Sequence, residues 1–436
     1  MNARQLEACA ERLQEFLTTM LASVGRAERR HHGARYVQGL LLDGERKSIE
    51  PLARRVPGAD VQALQQFVGQ SPWAWEPVRR RLAQRMAAAL KPAAAWLIDD
   101  TGFPKQGRHS VGVARQYSGS LGQVGNCQVA VTVHLSTETE SMPLNWALYL
   151  PQAWVADPER CRRAGVPAQT WFRTKPELAL ELIDQLLAWG LRPQPVLADA
   201  GYGNSTGFRA GLARRGLQYV VGVESSTAVW QTPTARVPPR RCPDHGRPRQ
   251  PDGRGQPVAL RDLALALAPH AWRTITWRQG TRGPQRSRFS ACRVQPAHGH
   301  AHGQPELEPV WLLIEWPADI KAPTKYWFSN LPEGVSRRRL VRLAKLRWRI
   351  EQNYQQLKEE VGLDHYEGRG WQGWHHHVTL VCLAYAFLLL ERRRLKKNSS
   401  ADFARSAALS ANGADAHVRR LSGLPPSGQQ EPIILI

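Results

Sequence analysis

Trp96-Leu97-Ile98-Asp99-Asp100-Thr101-Gly102-Phe103 is an apolar run closed by two carboxylates and followed by turn residues. Such a run reads as a buried strand, and the texture of the chain changes around it. Upstream, over residues 5–90, Leu, Val and Ala recur at spacings of three and four, the period of an amphipathic helix. Downstream, short apolar runs at 110–117, 128–135 and 144–150 indicate a meander of antiparallel strands. A helix is predicted over 176–189, with Pro176 in its first turn and Gly190 as its stop. A second apolar strand, 195–198, is closed by Asp199 just before Gly201-Tyr202-Gly203, and a short helix and a strand at 218–223 follow. Strands followed by helix, strand, helix and strand define an α/β protein with a mixed sheet and flanking helices.

The 436 residues suffice for about two to three domains. Residues 1–90 are expected to form an N-terminal all-helical domain that binds DNA, carrying the basic clusters Arg29-Arg30-His31-His32 and Arg79-Arg80-Arg81. The sheet core is expected over 91–228 and 326–395. Between them, 229–325 reads as a β-rich insertion with a basic Pro/Arg loop containing Pro238-Pro239-Arg240-Arg241, and 396–436 as a poorly ordered tail. Lys and Arg number 59 against 37 Asp and Glu, a formal charge of +22. A charge of that size calls for a polyanionic partner, of which nucleic acid is the commonest. The six cysteines show no paired spacing and read as reduced thiols. Residues 1–12 lack the apolar run of a signal peptide, and the longest apolar run, 378–390, is shorter than the roughly 20 residues of a membrane span. The expectation is a cytoplasmic protein with no membrane partner.

Asp99, Asp100 and Asp199, at the ends of neighbouring strands, can converge on one rim of a sheet, and clustered carboxylate oxygens suit hard cations such as Mg²⁺ or Mn²⁺. A third acidic residue, Glu351, lies on a helix predicted from about 336 onward. At 3.6 residues per turn Arg347, Glu351, Tyr354 and Lys358 share one face, so that a carboxylate is bracketed by two cations. Histidines 298, 300 and 302, and Cys242 with Asp244 and His245, are weaker candidates for Zn²⁺, without structural-site spacing. His375-His376-His377 can cap a helix, contact DNA or pack.

The blocks Asp99-Asp100-Thr101-Gly102-Phe103-Pro104-Lys105-Gln106-Gly107, Ser110-Val111-Gly112-Val113-Ala114-Arg115-Gln116-Tyr117, Thr174-Lys175-Pro176-Glu177 and Ala198-Asp199-Ala200-Gly201-Tyr202-Gly203 resemble those of the DDE transposases of bacterial insertion sequences. The Arg-x3-Glu-x6-Lys signature of a large transposase group matches Arg347, Glu351 and Lys358, although Ala344 stands where that signature has Tyr. The resemblance implies an RNase H-like core with an Asp, Asp, Glu triad and a β-rich insertion before the Glu. It places Asp99, Asp199 and Glu351 as catalytic residues and ligands of Mg²⁺, with Mn²⁺ as substitute. Asp100 is the fallback for Asp99, since strand alternation turns the two to opposite faces. Arg347, Lys358, Lys105 and Arg115 are the candidate DNA contacts.

The expected partner is double-stranded DNA, as inverted-repeat ends and as target, bound by a homodimer because two ends must be joined. The mechanism implied is two-metal phosphoryl transfer. Within the insertion, Trp230, Trp272 or Trp277 is expected either to pack in the core or to stack on an unpaired base. Two other readings share these residues: a domesticated, inactive transposase acting as a DNA-binding protein, and a nuclease of the same fold that cuts without joining.

Overall fold

The computed structural model describes residues 3–119, 122–231, 256–280, 283–297 and 308–411, the stretch 398–411 by its backbone alone. Along the chain run helices α1 (Ala3–Met20), α2 (Ala27–Leu41), α3 (Ile49–Arg55), α4 (Val61–Gly69) and α5 (Trp75–Ala89), then strands β1 (Ala95–Pro104), β2 (Ala114–Ser118), β3 (Gln123–Ser136) and β4 (Ser141–Leu148). Next come α6 (Gln152–Val155), α7 (Pro158–Arg163), α8 (Lys175–Ala188), β5 (Val196–Ala198), α9 (Ala200–Gly203), α10 (Thr206–Arg214) and β6 (Tyr219–Val223). The remainder comprises β7 (Ala228–Gln231), β8 (Val258–Ala259), α11 (Leu260–Ala266), β9 (Arg273–Gly280), β10 (Gly283–Pro296), β11 (Val310–Trp316), β12 (Lys325–Ser329), α12 (Arg337–Leu346), α13 (Trp348–Glu359) and α14 (Trp371–Ala411).

Contacts divide the chain into two compact units, Met1–Leu82 with Gln356–Ile436, and Ala83–Gln355. The first unit is helical and closes around α14. Leu380, Val381, Leu383, Ala384 and Ala386 of α14 are fully buried, as are Leu40, Leu52 and Leu64 of the N-terminal helices. The N-terminal helices therefore share a core with the C-terminal helix, whereas the expected boundaries placed residues up to 395 with the sheet. An apolar helix with no polar stripe must be buried all round, and α2, α4 and α14 solve that together. The span Trp371–Lys397 is long and apolar enough to cross a bilayer, and 94% of its most apolar 18-residue window is buried inside the protein, as in the central helix of a folded core. α14 also runs on to Ala411, so residues 396–411 are helical where a poorly ordered tail was expected. Their Ser, Ala, Asp and Arg residues tolerate a helix, and no Gly or Pro interrupts before Gly413.

Three buried histidines seat α14 in this unit. His376 stacks on Trp73 with ring centroids 3.7 Å apart, and its ring nitrogens lie 2.8 and 2.9 Å from the carbonyls of Val68 and Trp73. His377 meets the Tyr36 hydroxyl at 2.9 Å, and His375 stacks on Trp75 at 4.7 Å. Of the three roles open to this triplet, packing is the one observed. The basic cluster at 79–81 is also partly internal: Arg79 is buried, and Arg81 donates to the Met20 carbonyl at 2.7 Å.

The second unit is built on one mixed sheet of 12 strands, ordered β2-β3-β1-β5-β6-β12-β11-β10-β7-β8, with β4 paired to β3 and β9 to β10. β1 pairs antiparallel with β3 and parallel with β5, and β5 pairs parallel with β6 through the α9–α10 crossover. β12 then adds antiparallel to β6. Of the segment 229–325, expected as a β-rich insertion, the described strands β11, β10 and β7 continue the same sheet. Trp230 is part of the core there. Residues 232–255, with Cys242, Asp244 and His245, and the histidines at 298–302 lie outside the described residues. Among the described residues five cysteines are free thiols.

Candidate active site

β1 does not stop at its carboxylates: it runs on to Pro104, pairing with β3 along its whole length. Asp99 and Asp100 therefore sit in the middle of the strand, at the point where its neighbour β5 ends. In the parallel register Leu97 stands beside Leu197. Asp99 lies two residues further on in β1, and Asp199 two residues further on, just past the end of β5. Successive strand residues face opposite ways, and the ion pairs of the two aspartates follow that rule. Asp99 Oδ2 is 2.7 Å from Arg347 Nη1, while Asp100 Oδ2 is 2.6 Å from Lys175 Nζ at the start of α8. The helix α8 and the α12–α13 pair accordingly flank opposite sides of β1.

The turn after Asp199 is held against β6 by small residues. A Cβ on Gly203 would lie 1.9 Å from the Gly222 carbonyl oxygen, and one on Gly222 would lie 3.0 Å from the Ala200 nitrogen. Arg209, buried on α10, donates to the Gly203 carbonyl and to Thr206 Oγ1, fixing the same turn from behind.

The helix expected from 336 through 358 breaks at Arg347, between α12 and α13. From that break the guanidinium reaches both ways, Nη1 to Asp99 and Nη2 to Glu351 Oε1 at 2.6 Å. The structure thus links Asp99 to Glu351 through Arg347. Tyr354, next turn along, is buried, and its hydroxyl bonds to Thr132 Oγ1 on β3. Thr132 stands directly opposite Asp99 in the ladder, so this bond anchors α13 over the carboxylates. Lys358 is half-buried further along α13, beyond the point at which the chain enters the other unit. Arg115 is exposed on the edge strand β2, and Lys105 is half-buried after β1.

Removal from water raises the pKa of Asp99, and the charges of Asp199 and Asp100 add to this, so that despite Arg347 it is pushed up to about 7. Burial likewise raises Asp100 against the opposing pull of Lys175. Asp199 Oδ1 and the Tyr202 hydroxyl are buried and find no hydrogen-bond partner among the described residues. Asp99 and Glu351 share one guanidinium, and carboxylate oxygens of this kind are the donor type that a divalent cation takes. Among the described residues no three His, Cys, Asp or Glu side chains stand close enough to hold a metal ion as they are arranged.

Beside the carboxylates opens a cavity of about 530 Å³, lined by Asp199, Arg347, Trp348 and Glu351 on one side and by Trp277, Arg278 and Gln285 of β9 and β10 on the other. The guanidinium groups of Arg278 and Arg349 lie over the Trp348 ring, 4.0 and 4.2 Å from its centre. Lys345 forms a buried pair with Glu315 of β11 at 2.6 and 2.5 Å, against the Trp277 ring. Trp277 is half-buried in the cavity wall, and Trp272 packs edge-on to Trp316. Ala344, where the signature has Tyr, lines the same cavity. Sequence reasoning did not single out Lys175, Tyr202 or the Lys345–Glu315 pair. For Lys175 a signal existed, because Thr174 and Glu177 form a reciprocal capping box that fixes Lys175 as the first residue of α8.

The mixed sheet with flanking helices, and a carboxylate on β1 beside another just past β5, are consistent with a mixed α/β enzyme of the nuclease type. Over residues 19–284, more than half its length, the chain matches the DDE superfamily endonuclease family, and it belongs to that family. It is also 33% identical over 201 residues to a protein described as a probable transposase for insertion sequence element IS701, from Microchaete diplosiphon. That match covers 46% of this chain and 50% of the relative, so the chain spans about half the length of the curated protein it matches. Asp99 and Asp199 fall within the family match, and Glu351 lies beyond it.

Proposed function

We propose that the chain is a transposase of a bacterial insertion sequence, cutting DNA at the element's ends and joining the freed 3′ end to target DNA. The observation that carries this reading is the parallel register of β1 with β5, which brings Asp99 on β1 beside Asp199 just past β5, with Glu351 linked to Asp99 through Arg347. The meander β4-β3-β1 followed by parallel β5 and β6 supports an RNase H-like core. The relative's description supports transposition over cleavage alone.

In this reading Asp99, Asp199 and Glu351 hold Mg²⁺ or Mn²⁺, and Asp100, tied to Lys175 on the other face, does not. When bound, the cations supply an activated water and stabilise charge on the leaving oxygen. The protein's own share is positioning. Tyr354 and Thr132 seat α13 so that Glu351 overlooks β1, and the Gly203–Gly222 contact sets the height of Asp199. Arg278 and Arg347 line the cavity as cations for the phosphates flanking the scissile bond. Lys105, Arg115 and Lys358 are assigned to backbone phosphates outside it, where contacts position the duplex without reading its sequence. Joining two ends calls for two copies of the chain.

The test incubates purified protein with labelled duplex carrying the element's ends, in Mg²⁺ or Mn²⁺ against EDTA, beside Glu351→Gln. Metal-dependent cleavage at the boundary with recovery of joined products, both lost in the variant, is the expected result. Cleavage without joined products would convert the reading to a nuclease, and retarded but uncut DNA to a DNA-binding protein.

A further inference from the structure

The carboxylates of the candidate site already face a cation, and the chain itself supplies it. Arg347 hydrogen-bonds Asp99 at 2.7 Å with one nitrogen and Glu351 at 2.6 Å with another. One guanidinium thus spans from β1 to α13, and Asp199 adds a third negative charge to its surroundings. Its side chain is 25% exposed and forms part of the cavity wall, so it can turn outward without crossing packed core. A guanidinium serves two carboxylates side by side through separate nitrogens, whereas Mg²⁺ needs oxygens gathered around one point at about 2.0–2.1 Å. The same oxygens of Asp99 and Glu351 cannot do both.

We infer that Arg347 is the resident counter-ion of the metal-free site, exchanged for a divalent cation on loading, and that the released guanidinium takes a DNA phosphate in the cavity. This rests on the carboxylate-site reading given above. Replacing a single positive charge by a double one among three carboxylates brings the site closer to neutrality. The neighbouring cations are differently engaged: Lys345 is held by Glu315, and Arg278 lies over Trp348. Metal and DNA each draw Arg347 away from the same ion pairs, one by displacing it and the other by attracting it. Each ligand therefore tightens the other, and linkage requires the factor to be equal in both directions. A metal-free protein keeps its acidic site partly neutralised until it meets DNA.

The experiment counts free Mn²⁺ by electron paramagnetic resonance in solutions of the full chain, with and without a short DNA duplex at fixed ionic strength. Mn²⁺ held by the duplex alone is measured separately and subtracted. Wild type, Arg347→Gln and Asp199→Asn are compared, with circular dichroism melts to verify folding. Without DNA, Arg347→Gln is expected to bind Mn²⁺ about tenfold more tightly, the scale of one charge-assisted hydrogen bond lost as competitor. Duplex should tighten Mn²⁺ binding to wild type several-fold and leave that of the variant unchanged. Unchanged or weaker Mn²⁺ binding by a folded Arg347→Gln would overturn the inference. If that variant does not fold, wild type decides alone, and a duplex that fails to tighten Mn²⁺ overturns it. No Mn²⁺ bound by wild type, or binding indifferent to Asp199→Asn, would overturn the carboxylate-site reading itself and the exchange with it.

Discussion

Replacing Glu315 by Gln leaves the Lys345 ammonium without its counter-ion in a nearly closed pocket. The two side chains are 6% and 15% exposed, and the ammonium sits 4.5 Å from the centre of the Trp277 ring, with Phe289 and Trp327 beyond. Breaking a buried pair by removing one partner costs roughly 3–5 kcal/mol. The residual exposure of Lys345 points to the lower end, about 3 kcal/mol at pH 7. The lysine can also escape by shedding its proton. An ordinary lysine titrates about 3.4 pH units above pH 7, so neutralising it there takes about 4.6 kcal/mol, a ceiling that falls by about 1.4 kcal/mol for each unit the pH rises. Burial already lowers the pKa of Lys345 against the pull of Glu315, and losing Glu315 lowers it further. The sign follows: the unfolded chain then binds more protons than the folded one, so the stability of Glu315→Gln climbs with pH. Urea denaturation of the full chain, followed by tryptophan fluorescence, should show a deficit of about 3 kcal/mol at pH 7, shrinking to about 1 kcal/mol near pH 9.5. The double variant Glu315→Leu with Lys345→Met should recover most of it. A deficit below about 1 kcal/mol at pH 7, or one indifferent to pH, would refute this account.

Three further outcomes follow from the site. Asp99→Asn should reduce cleavage at the element's ends at least a hundredfold, and Asp100→Asn by much less, because Asp100 faces Lys175; equal losses in the same assay would remove the distinction. Gly203→Ala should disturb the turn that carries Asp199, since its methyl would meet the Gly222 carbonyl at 1.9 Å; a loss of roughly 2 kcal/mol or more on denaturation is expected from such overpacking, and an unchanged midpoint would contradict it. With Asp99 pushed up to about 7, the metal-free fold should lose stability as pH rises from about 4 to 7 and level off above, while Mn²⁺ binding tightens over the same window as the carboxylate ionises. A Mn²⁺ isotherm flat from pH 5.5 to 8 would count against that carboxylate as a ligand.

Periodicity and turn chemistry were enough to place β1, β5, β6 and α8, because each is bounded by local signals such as the Thr174–Glu177 capping box. The position of Asp99 within its strand was not legible. Asp-Asp-Thr-Gly reads locally as a turn, and pairing with β3 on one side overrides that preference through long-range hydrogen bonds. The break at Arg347 was hidden for a similar reason: 336–358 contains no Gly or Pro, and the interruption coincides with a guanidinium drawn toward carboxylates on distant segments. Helical spacing predicted the Arg347–Glu351 contact but could not show Asp99 as its third member, 248 residues away. The grouping of α14 with the N-terminal helices was equally invisible, since an all-round apolar helix declares that it is buried without saying against what.

Strand β6 ends at Val223 and β12 begins at Lys325, yet the two are antiparallel neighbours with Val223 opposite Tyr326. The sheet therefore treats residues 224–324 as the loop of a hairpin. Closing such a loop becomes only slightly harder as it lengthens, about 0.6 kcal/mol for each doubling. Growth or loss at its outer end, around β7 and β8, leaves the height of Asp99 and Asp199 untouched, whereas β9 and β11 are bound to the cavity wall and to Lys345. One protein thus keeps the β1-β5-β6 framework fixed while offering a distant rim on which evolution can experiment at small energetic cost.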